Sequence, residues 1–317
     1  MTRIWFDGTL TPLEEARVSV LAHTLHYGVG VFEGVRSYAR QEPEGSAAVF
    51  RLDDHLRRLE ESAVICGLEL PFSREELSRA CVEVLEANDL LDGYLRPVVW
   101  QDDERLGGLG TSPPVHVAVA AQPWGAYLGD EGLAKGIRVR VSAYRRGSLG
   151  SFHARAKING QYVTSTLAKR EALAQGYDEA LLMDDHGHVC EGSGENLFMV
   201  RDGRLLTPPA HASILPGITR DTVMMLARRL ADELGLCEVV EACIPRDALL
   251  CADEVFLTGT AAELTPVREV DDRTIGAGSA GPVTQGLQKA FFALVRGEPG
   301  AVSVPENWFA RFGAVVR

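Results

Sequence analysis

Of the 32 basic residues in this 317-residue chain, only four are lysines (Lys135, Lys157, Lys169 and Lys289), against 28 arginines. Chemistry that needs an amine therefore has four candidates. A lysine shielded from water gives up its proton readily and can condense with a carbonyl to an imine, whereas a guanidinium stays charged and cannot. Lys157 has a setting that favours this. It lies in Phe152-His153-Ala154-Arg155-Ala156-Lys157-Ile158-Asn159-Gly160-Gln161-Tyr162, among small and apolar residues, and Gly160 permits close backbone approach. The plain alternative is a solvated loop lysine. A second candidate is Cys190-Glu191-Gly192-Ser193-Gly194-Glu195-Asn196-Leu197-Phe198, which sets two carboxylates and an amide among glycines in a strand region. Glycine there marks a bulge or the close approach of a ligand, and a bulged strand with solvated glutamates is the competing reading.

Anion chemistry has its own candidates. Leu215-Pro216-Gly217-Ile218-Thr219-Arg220-Asp221 runs from a loop into a helix, whose first N–H groups and dipole favour a phosphate. Thr258-Gly259-Thr260-Ala261-Ala262-Glu263 follows a strand with small residues. Either turn could serve simply to cap a helix. Arg58 falls off the apolar stripe of its helix, the usual place of a solvated arginine. Arg96 sits in a strand between Leu95 and Pro97, where an unpaired charge is costly, so it calls for a carboxylate partner. His186 and His188 flank Gly187 in a manner suggestive of metal, but a polar hairpin tip accounts for them better, and no metal site is expected.

The elements that must position these residues can be read along the chain. Ile4-Trp5-Phe6 and an Asp7-Gly8 turn open a β region with short apolar pieces through Val18 and Val20. A strand is expected over Val31–Tyr38. A helix carries Leu52, Leu56, Leu59, Ala63 and Cys66 and stops at Gly67. A second helix follows the capping box Ser73-Arg74-Glu75-Glu76. Strands return at Tyr94–Trp100, Val115–Ala121, Ile137–Tyr144, Glu179–Met183 and Val189–Val200. Asp202-Gly203 predicts a hairpin, and helices are expected near Gln161–Gln175 and Thr219–Leu234. Residues 123–135, with three glycines and a proline, read as a connection between a small N-terminal α/β domain over 1–122 and a larger domain over 136–317. The mixture lacks the regular βαβ alternation of a doubly wound sheet.

Composition limits the partners. With 44 acidic residues and a formal charge of −12, the surface repels nucleic acid. No apolar run approaches the roughly 20 residues that span a bilayer, so no membrane association is expected. The first residues hold no apolar leader core and the six cysteines form no C-x-x-C pair, so a cytoplasmic protein is expected. Cys66 and Cys81 fall on apolar helix faces as buried reduced thiols.

Taken in order, these segments resemble the class IV, fold-type-IV aminotransferases that use pyridoxal 5′-phosphate (PLP), most closely the branched-chain amino acid aminotransferases. The matching pieces are His26-Tyr27-Gly28, Val31-Phe32-Glu33-Gly34-Val35-Arg36, Tyr94-Leu95-Arg96-Pro97 and Pro123-Trp124-Gly125-Ala126-Tyr127. They continue with Ala156-Lys157, Glu191 to Phe198, Leu215 to Arg220 and Gly259-Thr260-Ala261-Ala262-Glu263. The resemblance implies a mixed α+β, α/β fold in two domains, like that of D-amino acid aminotransferase, with the PLP-binding domain over 136–317. It also implies that Lys157 holds PLP and moves protons between the cofactor's C4′ and the substrate Cα, while Glu191 faces the pyridine nitrogen. Tyr162 would bond the ring's 3-oxygen, and Arg58, Ile218, Thr219 and Thr260 would hold the phosphate. Tyr94 and the Ala261-Ala262 backbone would take the substrate α-carboxylate. Phe32, Tyr127 and Trp124 would line an apolar pocket, in which Arg96, with Tyr27 of a second subunit, would receive the distal carboxylate.

The implied reaction passes the amino group of leucine, isoleucine or valine to 2-oxoglutarate. The implied partners are amino acids, 2-oxo acids and further copies of the chain, as a homodimer or a trimer of dimers. A D-amino acid or (R)-amine transaminase of the same fold is the near alternative, and a binding protein that has lost its cofactor the distant one. Family members commonly carry asparagine where this chain has Gln161, a departure that leaves Lys157 and Tyr162 in place.

Overall fold

A computed structural model describes residues 2–41, 43–102, 110, 112–125, 127–150 and 153–313. Ala126 and Phe152 of the segments quoted above lie outside the described residues. The chain divides into two units. One comprises Met1–Trp124, Ala156–Gln161 and Val295–Arg317, the other Gly125–Arg155 and Tyr162–Leu294. Compared with the expected blocks 1–122 and 136–317, the first unit also takes in two later stretches. One of them is the six-residue segment that carries Lys157. A boundary read from local composition does not register a chain that leaves a unit and returns to it.

The first unit is built on an eight-stranded sheet. Its path runs Phe309–Gly313, Ser46–Phe50, Val35–Ala39, Gly93–Gln101, Val115–Pro123, Arg3–Phe6 and Thr9–Pro12, and Gly30–Phe32 also pairs with Gly93–Gln101. The single strand expected over Val31–Tyr38 is two, interrupted at Glu33-Gly34. Val18 and Val20 are exposed and belong to no strand. The helices Leu52–Ile65 and Arg74–Ala87 cover the sheet, the second starting at the expected capping box on Ser73. Leu52, Leu56, Leu59 and Ala63 recur at helical spacing and join Val35, Val49, Leu95 and Val119 in the core. Each such leucine or valine removed from water contributes about 1.5–3 kcal/mol.

The second unit holds a ten-stranded sheet, within which six strands close on themselves. The ring runs Asn196–Arg201, Glu254–Gly259, Glu263–Val270, Ile137–Arg145, Glu179–Met183 and His188–Gly192. It returns to Asn196–Arg201 through the pair Glu191↔Asn196. Inward residues such as Val139, Leu181, Leu197, Leu257 and Val267 fill it. The expected run Val189–Val200 is therefore two strands joined by a turn at Ser193-Gly194. Asp202 and Gly203 both have positive φ (51° and 71°), the hairpin conformation their sequence predicts.

Candidate functional site

In the first unit, the lysine segment is stitched onto strand and helix by its backbone. The Phe32 N–H donates to the Lys157 carbonyl at 3.1 Å, Val31 bridges Ile158, and the Lys157 N–H donates to Ser62 Oγ at 3.1 Å. The Ser62 hydroxyl donates in turn to the Arg58 carbonyl at 2.7 Å. Gly160 N–H reaches the Gly28 carbonyl at 3.1 Å, and a Cβ on Gly28 would stand 2.9 Å from the Gly160 Cα. This is the close approach expected of Gly160, and its partner is the glycine of His26-Tyr27-Gly28. The amine emerges half-buried, with Nζ 5.0 Å from the Phe32 ring centroid.

The same Phe32 ring lies 4.8 Å from the guanidinium of Arg96, which also covers Tyr94 at 5.4 Å and donates to its hydroxyl at 3.2 Å. Tyr94 stacks on Trp124 with centroids 4.6 Å apart, and a Cβ on Gly34 would overlap its hydroxyl at 1.9 Å. Phe32, Tyr94, Arg96, Trp124 and Lys157 are thus assembled within one unit. A cavity of about 330 Å³ opens beside Tyr94 and Arg96. Tyr27 does not join this group within its own chain: it is 40% exposed and makes ring contacts with His23 and His26.

Arg58 differs from the solvated arginine its position suggests. It is buried and donates through Nε and Nη2 to the two oxygens of Glu33, at 2.6 and 2.9 Å. Glu33, fully buried, also accepts from His55 Nδ1 at 2.7 Å. Burial opposes ionisation of Glu33, but the charge of Arg58 and the hydrogen bond from His55 outweigh it and hold the carboxyl far below its usual range.

In the second unit, a bulge between Val189 and Glu191 turns the Glu191 side chain, and the glutamate is buried rather than solvated. Arg146 forms an ion pair with it, Asn196 Nδ2 donates at 3.0 Å, and the Leu215 N–H donates at 3.1 Å. Asn196 Nδ2 also donates to the Leu215 carbonyl at 2.9 Å. One amide thus ties the carboxylate to the loop that leads into the helix Ile218–Arg229. That helix starts at Gly217, where no side chain caps it and where a Cβ would lie 2.0 Å from Asn196 Oδ1. Arg220 anchors the same turn through Thr207, the Pro208 carbonyl and Glu241. Thr260, Ala261 and Ala262 form the turn of the hairpin closed by Gly259↔Glu263, and Asn196 of the neighbouring strand pairs with Thr258 of that hairpin. Tyr127 and Tyr162 share a cavity of about 330 Å³ with Lys169 and Ser193. Lys169 is not a surface lysine: it donates to the buried Glu179 at 2.5 Å.

Among the described residues, no three metal-type side chains gather. At the histidine tip the His186 and His188 N–H groups donate to Asp184 Oδ1 instead.

The model of the amino-transferase class IV family matches residues 30–270. The branched-chain-amino-acid aminotransferase of Pseudomonas aeruginosa is 48% identical over 298 residues, 94% of each chain. The crystal structure of the Escherichia coli branched-chain amino acid aminotransferase superposes with a TM-score of 0.90 at 44% identity, over 97% of this chain and 98% of that one. The T.th. branched-chain amino acid aminotransferase, solved with N-(5′-phosphopyridoxyl)-L-glutamate, gives a TM-score of 0.87 at 43% identity over 97% of each chain. The chain belongs to the branched-chain-amino-acid aminotransferases of class IV. In this aminotransferase, Glu33, His55, Ser62 and Arg146 escaped sequence reasoning as supports of the site. His55, Arg58 and Ser62 did leave a signal: they form a polar stripe at helical spacing beside the apolar one, on a helix that buries both.

Proposed function

We propose that the enzyme exchanges the amino group of L-leucine, L-isoleucine or L-valine with 2-oxoglutarate, with PLP held by Lys157. The observation that carries this reading is the Phe32 ring, flanked by the Lys157 amine and by the Arg96 guanidinium. One surface thereby offers an aliphatic side chain a ring and a distal carboxylate a cation, beside the amine at which the reaction takes place.

The residues fit the cofactor. A phosphate suits an uncapped helix start carrying the buried Thr219. The Thr258 hydroxyl, buried next to Gly259 and Thr260, has no hydrogen-bond partner among the described residues and adds a donor in want of an acceptor. Arg58, the Ile218 N–H, Thr219 and Thr260 would hold that phosphate, Tyr162 the ring 3-oxygen and Glu191 the ring nitrogen. When bound, PLP supplies an electron sink for charge developing at the substrate Cα. Lys157 Nζ would carry a proton from the substrate Cα to the cofactor's C4′ in one half-reaction and in the reverse sense in the other. Glu191, its carboxylate oriented by Arg146 and Asn196, would favour a proton on the ring nitrogen. Tyr94 and the Ala261-Ala262 backbone would bind the α-carboxylate, Trp124, Tyr127 and Phe32 would meet the aliphatic side chain, and Arg96 would orient a distal carboxylate.

The working unit in this reading is a homodimer, or a trimer of such dimers, with Tyr27 completing a neighbour's site. The exposed Leu13, Val18, Val20 and Leu25, which precede Tyr27 in the sequence, support it. The reading places the enzyme in the cytoplasm, supported by six free thiols; among the described residues no helix is long and apolar enough to cross a membrane. Assays of L-leucine and D-alanine, each with 2-oxoglutarate, test the substrate class, and faster turnover of D-alanine overturns it. Borohydride reduction with peptide mapping tests the amine: label on Lys157 is expected, and label on Lys135, Lys169 or Lys289 refutes the assignment.

A further inference from the structure

Arg58, given to the cofactor phosphate above, is held by side chains to which that reading assigns no role. Its Nε and Nη2 both bind Glu33, so the plane of the guanidinium is set by a two-point contact rather than by its own flexible stem. Glu33 is in turn saturated: besides Arg58 it accepts from His55 Nδ1 at 2.7 Å and from the Gly34 N–H at 3.2 Å, and it has no solvent exposure. His55 is 2% exposed, and burial pushes its pKa below the usual value, so at neutral pH it acts through its Nδ1–H as a neutral donor. One turn further along the helix, Ser62 bonds both the Arg58 carbonyl and the Lys157 N–H. A single helix face thus fixes the guanidinium and the backbone of the amine-bearing segment.

We propose that Glu33 and His55 are positioning residues that hold Arg58 in place for the phosphate of PLP, an inference that rests on the assignment of Arg58 above. An apolar trio of equal volume would stabilise the fold at least as well, because a buried ion pair recovers little beyond its desolvation. Retaining three polar side chains here makes physical sense if one of them must present its charge in a fixed orientation.

The test compares two probes on the full-length protein freed of PLP: PLP itself, and pyridoxal, which lacks the phosphate. The ratio of their dissociation constants reports what the phosphate contributes, and thermal melts of the same samples report folding. Glu33→Gln and His55→Leu are expected to lower the preference for PLP over pyridoxal by roughly ten- to a hundred-fold, the usual cost of removing a partner that orients a ligating group, with pyridoxal affinity nearly unchanged. His55→Asn, whose amide nitrogen can replace Nδ1 as donor, should restore most of the preference. If Glu33→Gln does not fold, the His55→Leu and His55→Asn pair decides. A lowered melting temperature with an unchanged preference in these variants makes the trio merely structural and overturns the proposal. Arg58→Ala separates the two levels: an unchanged preference there overturns the phosphate role of Arg58 itself. Loss in Arg58→Ala without loss in Glu33→Gln or His55→Leu overturns only the positioning role.

Discussion

In the first unit the arginine of a buried ion pair, Arg58, is the member assigned to the cofactor, and Glu33 holds it. In the second unit the glutamate, Glu191, is the member assigned to the cofactor, and Arg146 pairs with it. The two pairs share one chemistry and are used in opposite senses. In each, the supporting charge keeps its partner from being buried alone, which would cost several kcal/mol, and the hydrogen bonds around it fix an orientation. The units also differ in their response to pH. Glu33 is held far below the ordinary carboxylate range, so its stabilising contribution is complete at neutral pH and is lost on acidification. His55, shifted below 6.5, acts in the same direction: as pH falls below that value the unfolded chain gains a proton that the folded chain resists. Glu195, in the second unit, is pushed by burial and by the charge of Glu179 up to about 8 from the usual 4.5. Between those values the folded chain keeps a proton that the unfolded chain has lost, so stability falls as pH rises.

Four experiments would break or sharpen this contrast. Lys157→Ala, the reference for both units, is expected to lower transamination by about 10⁴-fold with the fold intact, measured by turnover and by thermal melting. Glu191→Gln keeps the shape of the working carboxylate but not its charge; kcat should drop by about 10²–10³-fold with KM little changed. A KM effect alone would remove Glu191 from its assigned role. Arg96→Leu should lower kcat/KM for 2-oxoglutarate by roughly 10- to 100-fold, the worth of a charged hydrogen bond, yet leave the half-reaction with L-leucine within about threefold. Equal losses on both substrates would deny Arg96 a part in telling them apart. The smallest effect concerns pH: Glu195→Gln should raise the melting temperature by a few degrees at pH 8 and leave it close to wild type at pH 5, on the order expected for about 1–2 kcal/mol. A gain at pH 5 and none at pH 8 would reverse the assigned direction.

Much of the chemistry was legible in the order of residues because it depends on residue type. Lys157 stood out as an amine among arginines, Gly160 as a point of close approach, and the Gly217-Ile218-Thr219 turn as a helix start. The capping box at Ser73 and the Asp202-Gly203 hairpin were legible because both are local. The burial of Arg58 was not: its place off the apolar stripe suggested solvent, and the Glu33 that pairs with it lies 25 residues away on another element. Arg146 was invisible for the same reason, being 45 positions from the Glu191 it pairs with.

The sequence by itself determined which groups are available: one lysine suited to imine chemistry, two carboxylates among glycines, a helix start for an anion, and an acidic surface hostile to nucleic acid. These follow from functional groups and short-range backbone rules, which act over a few residues. Only the tertiary structure decided which charges are paired and which member of each pair is oriented by the other, because ion pairing and desolvation depend on through-space neighbours. The strand pair that closes the six-stranded ring, Glu191↔Asn196, and the return of Ala156–Gln161 to the first unit are decisions of that kind.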